Sequence, residues 1–306
     1  MRLDGLPLAL ELAAARAKVL TPQQMLQRLS QRFALLRDQR GASRQSTLQG
    51  AIGWSWELLT PAERSTLAQL SVCRGGFFLE LAERVVDLSA FPDAPMAMDI
   101  VESLRDKSLL EAQEYPLLGG ERRFWMYESI RAFAHEQLAG TGTVPATVQR
   151  WREALTAYAR DIWKAQDSGL LDQHRLRLQL EAEALAEVSR GGHDETACWA
   201  GLIAGSTLTR QGAVSSSKGL LERVYAMCPP GELRARAAVV LGMATVYADP
   251  AGAENLLRSV DRASPQFAEA LIALGHTYQN RGNGLKMHEV MDEVAKLPAH
   301  TPRQKA

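Results

Sequence analysis

Residues 47–78 read TLQGAIGWSWELLTPAERSTLAQLSVCRGGFF, and this stretch decides the fold. Leu48, Ile52, Trp54 or Ser55, and Leu58–Leu59 recur at helical spacing and make one apolar face. Thr60-Pro61-Ala62-Glu63 then has the form of a capping box with proline in the first helical turn. The threonine hydroxyl and the glutamate carboxylate can each satisfy an orphan amide, and proline has no amide to lose there. Leu67 and Leu70 carry the apolar face of the second helix, and Gly75-Gly76 is the expected stop. The stretch therefore predicts two helices joined by a sharp break.

Outward from this hairpin the pattern changes twice. Residues 77–88 read as a short helix with Phe77, Leu81 and Val85 inward. Pro92 and Pro95 punctuate a loop, and Met98, Ile100, Val101 and Leu104 mark a helix ending near Lys107. Apolar runs at 108–112 and 122–126 flank Pro116 and Gly119-Gly120, the pattern of a β-hairpin. A helix over 127–139 follows, with Ile130, Phe133, Ala134 and Leu138 on one face. Helices, a two-stranded wing and a closing helix form the order of a winged helix.

The same residues carry a resemblance. Trp54-Ser55-Trp56-Glu57-Leu58-Leu59, Glu63-Arg64, Leu70-Ser71-Val72 and Gly75-Gly76-Phe77 resemble the start of the winged-helix domain of STAND-type signalling ATPases. These are relatives of the NB-ARC proteins, and the bacterial transcription-regulator branch is the most similar. Trp56 stands where that branch usually has tyrosine, and Cys73 where it has phenylalanine. Asp106-Lys107-Ser108-Leu109 and the segment from Tyr127 to Ala134 are similar to further family segments. Gly5-Leu6-Pro7-Leu8-Ala9 is similar to the family's GLPLA motif, which implies that Leu6 and Pro7 lie near a bound adenine. Met126-Tyr127-Glu128 lines up with the family's M-H-D triplet, whose histidine meets the nucleotide phosphate. Tyr127 replaces that histidine, and the reading of the residues alone makes it a structural group at the wing-to-helix junction.

Upstream of the hairpin, Asp4 and Pro7 suit the start of an alanine-rich helix, and Thr21-Pro22 the start of another over about 22–31. The polar stretch 37–46 reads as a linker. Beyond the wing, Gly140 to Pro145 reads as a second linker, and helical pattern fills 149–298. Within it Gly205, Gly242 and Gly275 recur, each followed by a proline (Pro229, Pro265, Pro298). Gly212 and Gly282 each stand seven positions after one of them. This resembles the tetratricopeptide (TPR) pattern, in which glycine lets paired helices approach and proline follows the second. Such pairs bury their apolar faces by stacking into a superhelix.

Composition sets the outer bounds. The chain has 306 residues, 46% hydrophobic and 23% charged, enough for two or three domains. Thirty-five basic and thirty-five acidic residues cancel, so no global field draws in nucleic acid or anionic membrane. The first fifty residues are locally basic, suited either to phosphate or to a solvated helix face. Cys73, Cys198 and Cys228 make neither a CxxC pair nor a disulfide framework, which points to a reducing cytoplasm. No apolar run reaches the ~20 residues of a membrane span.

The chemistry sought leaves little. The sequence contains no GxxxxGK[ST] phosphate loop and no apolar run ending in a Walker-B aspartate. His135-Glu136 opens a zinc-protease pattern, but the position that would need a second histidine is Ala139, so no metal site is expected. Glu181, Glu183 and Glu187 read as a solvated helix face. Arg105, Lys107, Arg122 and Arg123 are the basic groups a DNA-reading helix and wing would present, nearly balanced by Asp99, Glu102, Asp106, Glu111, Glu114 and Glu121. Groove binding is not expected.

The expected architecture is mainly α. Residues 1–45 form the end of an NB-ARC-type helical domain, 46–140 a winged helix with a small β-hairpin wing, 141–148 a linker and 149–306 a TPR-like α-solenoid. The resemblance implies the regulatory and sensor portion of a longer STAND-type ATPase or transcriptional regulator, with the ATPase core upstream. No enzymatic activity is expected of these residues, and ATP or ADP is implied only through an upstream phosphate-loop domain. A protein or small-molecule inducer is the partner expected on the repeats. The alternatives are a stand-alone helical scaffold that binds a protein partner, and a DNA-binding winged-helix regulator.

Overall fold

The computed structural model of the protein describes residues 44–165 and 171–297, with Glu11, Ala14, Ala17, Thr21, Gln23 and Gln24 besides. Leu6, Pro7 and most of the expected 1–45 domain lie outside the described residues. At Thr21 the expected helix start has its cap: Gln24 N donates to Thr21 Oγ1 at 3.3 Å and Thr21 N to Gln24 Oε1 at 2.9 Å. The chain forms two compact units that divide at Ala154/Leu155. The described residues are mainly helical with one small sheet.

In the first unit α1 (Arg44–Glu57) and α2 (Pro61–Leu70) are the expected pair. Ile52, Trp54 and Leu59 of the first segment are buried, as are Leu67 and Leu70 of the second. The break between them is the capping box. Glu63 N donates to Thr60 Oγ1 at 3.2 Å, and Thr60 N donates to Glu63 Oε2 at 2.9 Å. Arg64 closes the corner by donating to the carbonyls of Trp56 and Glu57 at 3.0 and 2.6 Å.

Phe77 and Phe78 are not the start of a helix. They form a short strand β1 (Phe77–Phe78), and α3 covers only Leu79–Val85. Helical spacing could not see this, because Phe77 is as deeply buried in a strand as it would be in a helix. What holds it is pairing with a distant segment, Phe77 opposite Phe124 and Phe78 opposite Arg123. Gly76 sits at φ +91°, and a Cβ there would lie 2.7 Å from the Phe124 carbonyl oxygen, so only glycine lets the strand reach its partner.

After α4 (Ala97–Asp106) the chain reverses through a left-handed Ser108 at φ +55°. Ser108 N donates to the Arg105 carbonyl at 2.8 Å and Leu109 N to that of Leu104 at 3.0 Å, a Schellman closure with serine where glycine is usual. The hairpin therefore starts later than the apolar run suggests, with β2 at Glu111–Tyr115 and β3 at Glu121–Trp125. Leu109 and Leu110 are core residues of the turn, 1% and 2% exposed. The sheet is antiparallel in the order β1-β3-β2. Helix α5 (Glu128–Gly140) packs on α1 and α2, its Phe133 ring edge-on to Trp56 at 5.7 Å. Of the residues that mark α4, Ile100, Val101 and Leu104 are buried and Met98 is 42% exposed.

Helix α6 (Val144–Lys164) begins inside the expected linker, so residues 144–148 are helical, and the division between the units falls within it. In the first unit Arg150 donates to the Val85 carbonyl at 3.1 Å and to Gln69 Oε1 at 2.8 Å. In the second unit α7 (Leu171–Arg190) is followed by three helix pairs. These are α8 (Glu195–Arg210) with α9 (Val214–Met227), α10 (Glu232–Thr245) with α11 (Pro250–Arg258), and α12 (Phe267–Asn280) with α13 (Gly284–Lys296). Each helix packs on the next, and α8, α10 and α12 also pack in succession.

The recurring glycines do what their spacing suggests. A Cβ on Gly205 would lie 2.5 Å from Leu221, one on Gly242 2.7 Å from Leu257, and one on Gly275 2.4 Å from the Met291 methyl. Gly212 and Gly282 hold left-handed turns at φ +82° and +67°. At the equivalent place in the middle pair Asp249 instead caps α11, accepting from Gly252 N at 2.9 Å. Tyr278 is fully buried, donates its hydroxyl to Glu254 at 2.7 Å and accepts from Arg258 at 2.7 Å.

Two predictions follow from this packing. Gly205→Ala drives a methyl into the branched Leu221 and should cost about 1–3 kcal/mol, whereas Gly275→Ala meets the flexible end of Met291 and should be nearly neutral. Urea unfolding of the two variants checks the contrast. Burial opposes ionisation of Glu63, but hydrogen bonds from Lys107, Ser103 and Thr60 N hold its carboxyl below the ordinary glutamate range. A lowered folded pKa means that its stabilisation is present above the unfolded pKa and is lost as pH falls through the folded one. Acid unfolding monitored by circular dichroism should therefore show Glu63→Gln less stable than the parent at neutral pH and nearly equal to it in strong acid.

Candidate functional site

The second unit has an edge where α7, α9 and α11 end and α8, α10 and α12 begin. The three links at this edge, together with the last turn of α6, enclose a cleft of about 1420 Å³. Each contributes because a link cannot pack as tightly as a helix side, and its side chains stay available. Pro229-Pro230-Gly231 stiffens one wall and Ser264-Pro265 another.

Trp199, one turn into α8, is the centre of the cleft. The Arg160 guanidinium stands over its ring at 4.4 Å and Trp163 meets it edge-on at 6.3 Å and 87°. Its indole N–H donates to Glu195 at 3.2 Å. Arg236 stands over the same ring at 6.0 Å and donates to Glu232 at 2.9 Å. With the Gln266 amide turned to present its oxygen, that oxygen accepts from Arg236 at 3.0 Å. Arg262 lies 5.8 Å over Phe267 and pairs with Glu293. Asp194 is occupied in capping α8, accepting from Ala197 N at 2.8 Å.

The cleft's charges thus divide by whether they are answered. Arg236 and Arg262 have carboxylates. Among the described residues Arg160 and Lys164, both on α6, have no carboxylate, and Glu195 and Glu269, at the starts of α8 and α12, have no cation, so the cleft is balanced in charge. Cys198 reaches the cleft wall, and the Cys228 thiol beside it is pushed up by burial and by its hydrogen bond with Cys198.

The residues singled out in the sequence fall elsewhere. Tyr127 immediately precedes α5 and is 41% exposed. Glu111, then burial and Glu11, push its hydroxyl up. Glu128 beside it is held low by its hydrogen bond with Arg131, against the effect of burial. Glu111 and Glu128 stand beside Tyr127, with Arg131 and Arg74 acting on Glu128. Leu6 and Pro7 lie outside the described residues.

The basic groups of the expected reading helix and wing are largely engaged. Lys107 pairs with Glu63, Arg105 with Asp106 at 2.9 Å, and buried Arg123 donates to the Gly75 carbonyl at 2.8 Å. Glu181 is not on a solvated face, being 1% exposed. No group of three or more His, Cys, Asp or Glu among the described residues could hold a metal ion. No helix among them is long and apolar enough to cross a membrane. Sequence reading missed the cleft because Arg160, Trp163, Trp199 and Arg236 form no motif. Two tryptophans near helix ends were the one available signal.

Comparison with known proteins gives relatives of regulatory name. The chain is 31% identical over 88% of its length to "Putative HTH-type transcriptional regulator Rv0890c" of Mycobacterium tuberculosis. The match to "Putative HTH-type transcriptional regulator Mb0914c" of Mycobacterium bovis has the same extent. "Uncharacterized protein Rv0894" of Mycobacterium tuberculosis is 34% identical over 50% of the chain. The chain spans about a third of the first two relatives, 35% of each. No family model matches, and no solved structure matches.

None of Cys73, Cys198 and Cys228 is in a disulfide, and all three are buried. Titration of the native protein with a disulfide reagent at mild alkaline pH should find no fast-reacting thiol, and denaturant should release all three.

Proposed function

We propose that these residues are the regulatory and sensor portion of a STAND-type transcriptional regulator. The observation that carries this is the similarity, across most of the chain, to mycobacterial proteins named HTH-type transcriptional regulators. The helices and hairpin of the first unit support a winged-helix element. The glycine-seated helix pairs of the second support a TPR-like array. In this reading the cleft around Trp199 receives the inducer, and its occupancy biases the winged-helix element between two states, as linkage requires of any such switch. Nucleotide would enter this reading only through an upstream phosphate-loop domain, since these residues contain no GxxxxGK[ST] loop.

The engaged state of Lys107, Arg105 and Arg123 supports a winged helix that works against other protein surfaces rather than in a DNA groove. A transcriptome comparison tests the proposal in the source organism. Deleting the gene should alter a defined set of transcripts, and chromosomal Trp199→Ala should alter much of the same set with the protein level unchanged. A deletion that alters no transcript refutes the regulator reading and leaves the stand-alone protein-binding scaffold.

A further inference from the structure

We infer that Arg258, Arg281 and Lys286, gathered around Glu254 away from the Trp199 cleft, form a site for a phosphate group, free or carried on a small metabolite. None of the four residues lines that cleft. They meet where α11 packs against α12 and the turn into α13.

Three cations share one carboxylate there. Arg281 Nη1 donates to Glu254 Oε2 at 2.9 Å, Arg258 Nε reaches Oε1 at 3.4 Å, and Lys286 Nζ stands 3.8 Å from that same oxygen. No second carboxylate among the described residues pairs with any of the three. The Tyr278 hydroxyl donates to Glu254 and accepts from Arg258, each at 2.7 Å. That hydrogen bond, with Lys286 and Arg258 alongside, holds the Glu254 carboxyl below the ordinary glutamate range against the effect of burial. Glu254 therefore answers one positive charge at neutral pH, and two are left over.

Holding the fold does not call for that excess. A half-exposed ion pair contributes little to stability, and added cations beside a carboxylate already paired repel one another. The three side chains are about half exposed, so a ligand can reach them. They are also held in place. Arg258 is tied to the Tyr278 hydroxyl, and Lys286 lies over the Tyr278 ring at 5.3 Å. At 3.8 Å from Glu254 the Lys286 ammonium is too far for a hydrogen bond and keeps its donors for another acceptor. Arg281 and Lys286 also flank the start of α13. Asn283 accepts from Lys286 N at 3.2 Å, and the Gly284 and Leu285 amides have no intrahelical acceptor, so the helix end adds to the same sign. Two unmatched charges fit a dianion better than a single carboxylate, and guanidinium forks fit the oxygens of a phosphate.

Isothermal titration calorimetry on the full chain tests the inference, at mildly alkaline pH and constant ionic strength. The probes are inorganic phosphate, glucose 6-phosphate and acetate. At least one of the two phosphates should bind about tenfold or more tightly than acetate. Binding of inorganic phosphate alone assigns the site to the free ion, and binding of glucose 6-phosphate as tightly or more so assigns it to an esterified phosphate. The double variant Arg281→Gln/Lys286→Gln should weaken the phosphate that binds about tenfold or more. Lys286→Gln alone, which removes no hydrogen bond from the fold, should weaken it about threefold or more and serves if the double variant does not fold. Arg84→Gln, on α3 of the first unit, should change nothing, and thermal melting reports whether each variant is folded. The inference is overturned if neither phosphate binds more tightly than acetate, or if the folded variants bind phosphate like the parent.

Discussion

The first unit depends on where one carboxylate is kept. Glu63 is 5% exposed, and an isolated charge at such a depth would cost far more than a helix cap returns. It is tolerable because donors reach it from two parts of the chain. Thr60 N donates at 2.9 Å as half of the capping box, Ser103 Oγ donates at 2.7 Å from α4, and Lys107 supplies the counter-charge. The cap that starts α2 is thus also the clamp that holds α4 against it. Everything downstream inherits that placement. Lys107 precedes the left-handed Ser108, whose Schellman closure sends Leu109 and Leu110 into the core and aims β2. Arg123 performs a similar service at the other side of the sheet, donating to Gly75 while its guanidinium stands 5.4 Å over Phe78.

How much of this the sequence discloses depends on the range of the interaction. The capping box, the helix faces and the turn glycines are local, written within four to seven residues, and they were readable. The strand at Phe77–Phe78 was not, because nothing in its neighbourhood distinguishes a short strand from a helix start. Its cause is the edge of β3, some forty-five residues on. The same limit hid the second role of Glu63 and the burial of Glu181. Spacing placed Glu181 with Glu183 and Glu187 on one wet face, yet the packing of α7 on α8 takes it inside.

The repeat region shows the opposite balance. Its glycines announce close helix pairs because the requirement is steric and recurs with each pair. The middle pair departs from the pattern where Asp249 caps α11 in place of a turn glycine, and α11 is the shortest helix of the three pairs at 9 residues. The cleft around Trp199 was invisible for a related reason. A stacked array specifies its interior by repetition, but its edge is assembled from links that need not repeat. Arg160 comes from α6, Trp199 from α8 and Arg236 from α10, and no sequence window contains two of them.

That edge is also where recognition has to be local. With thirty-five basic and thirty-five acidic residues the chain carries no net charge to steer a ligand from a distance. Beyond a Debye length of about 8 Å at physiological salt, its charges cancel for an approaching partner. Selectivity must then come from groups whose charge is unanswered at close range and whose geometry is set before contact. Arg236 and Arg262 are matched within the fold and serve mainly to hold α10 and the α11–α12 link in place. Arg160 is different: what positions it is an aromatic face, which fixes the guanidinium without neutralising it.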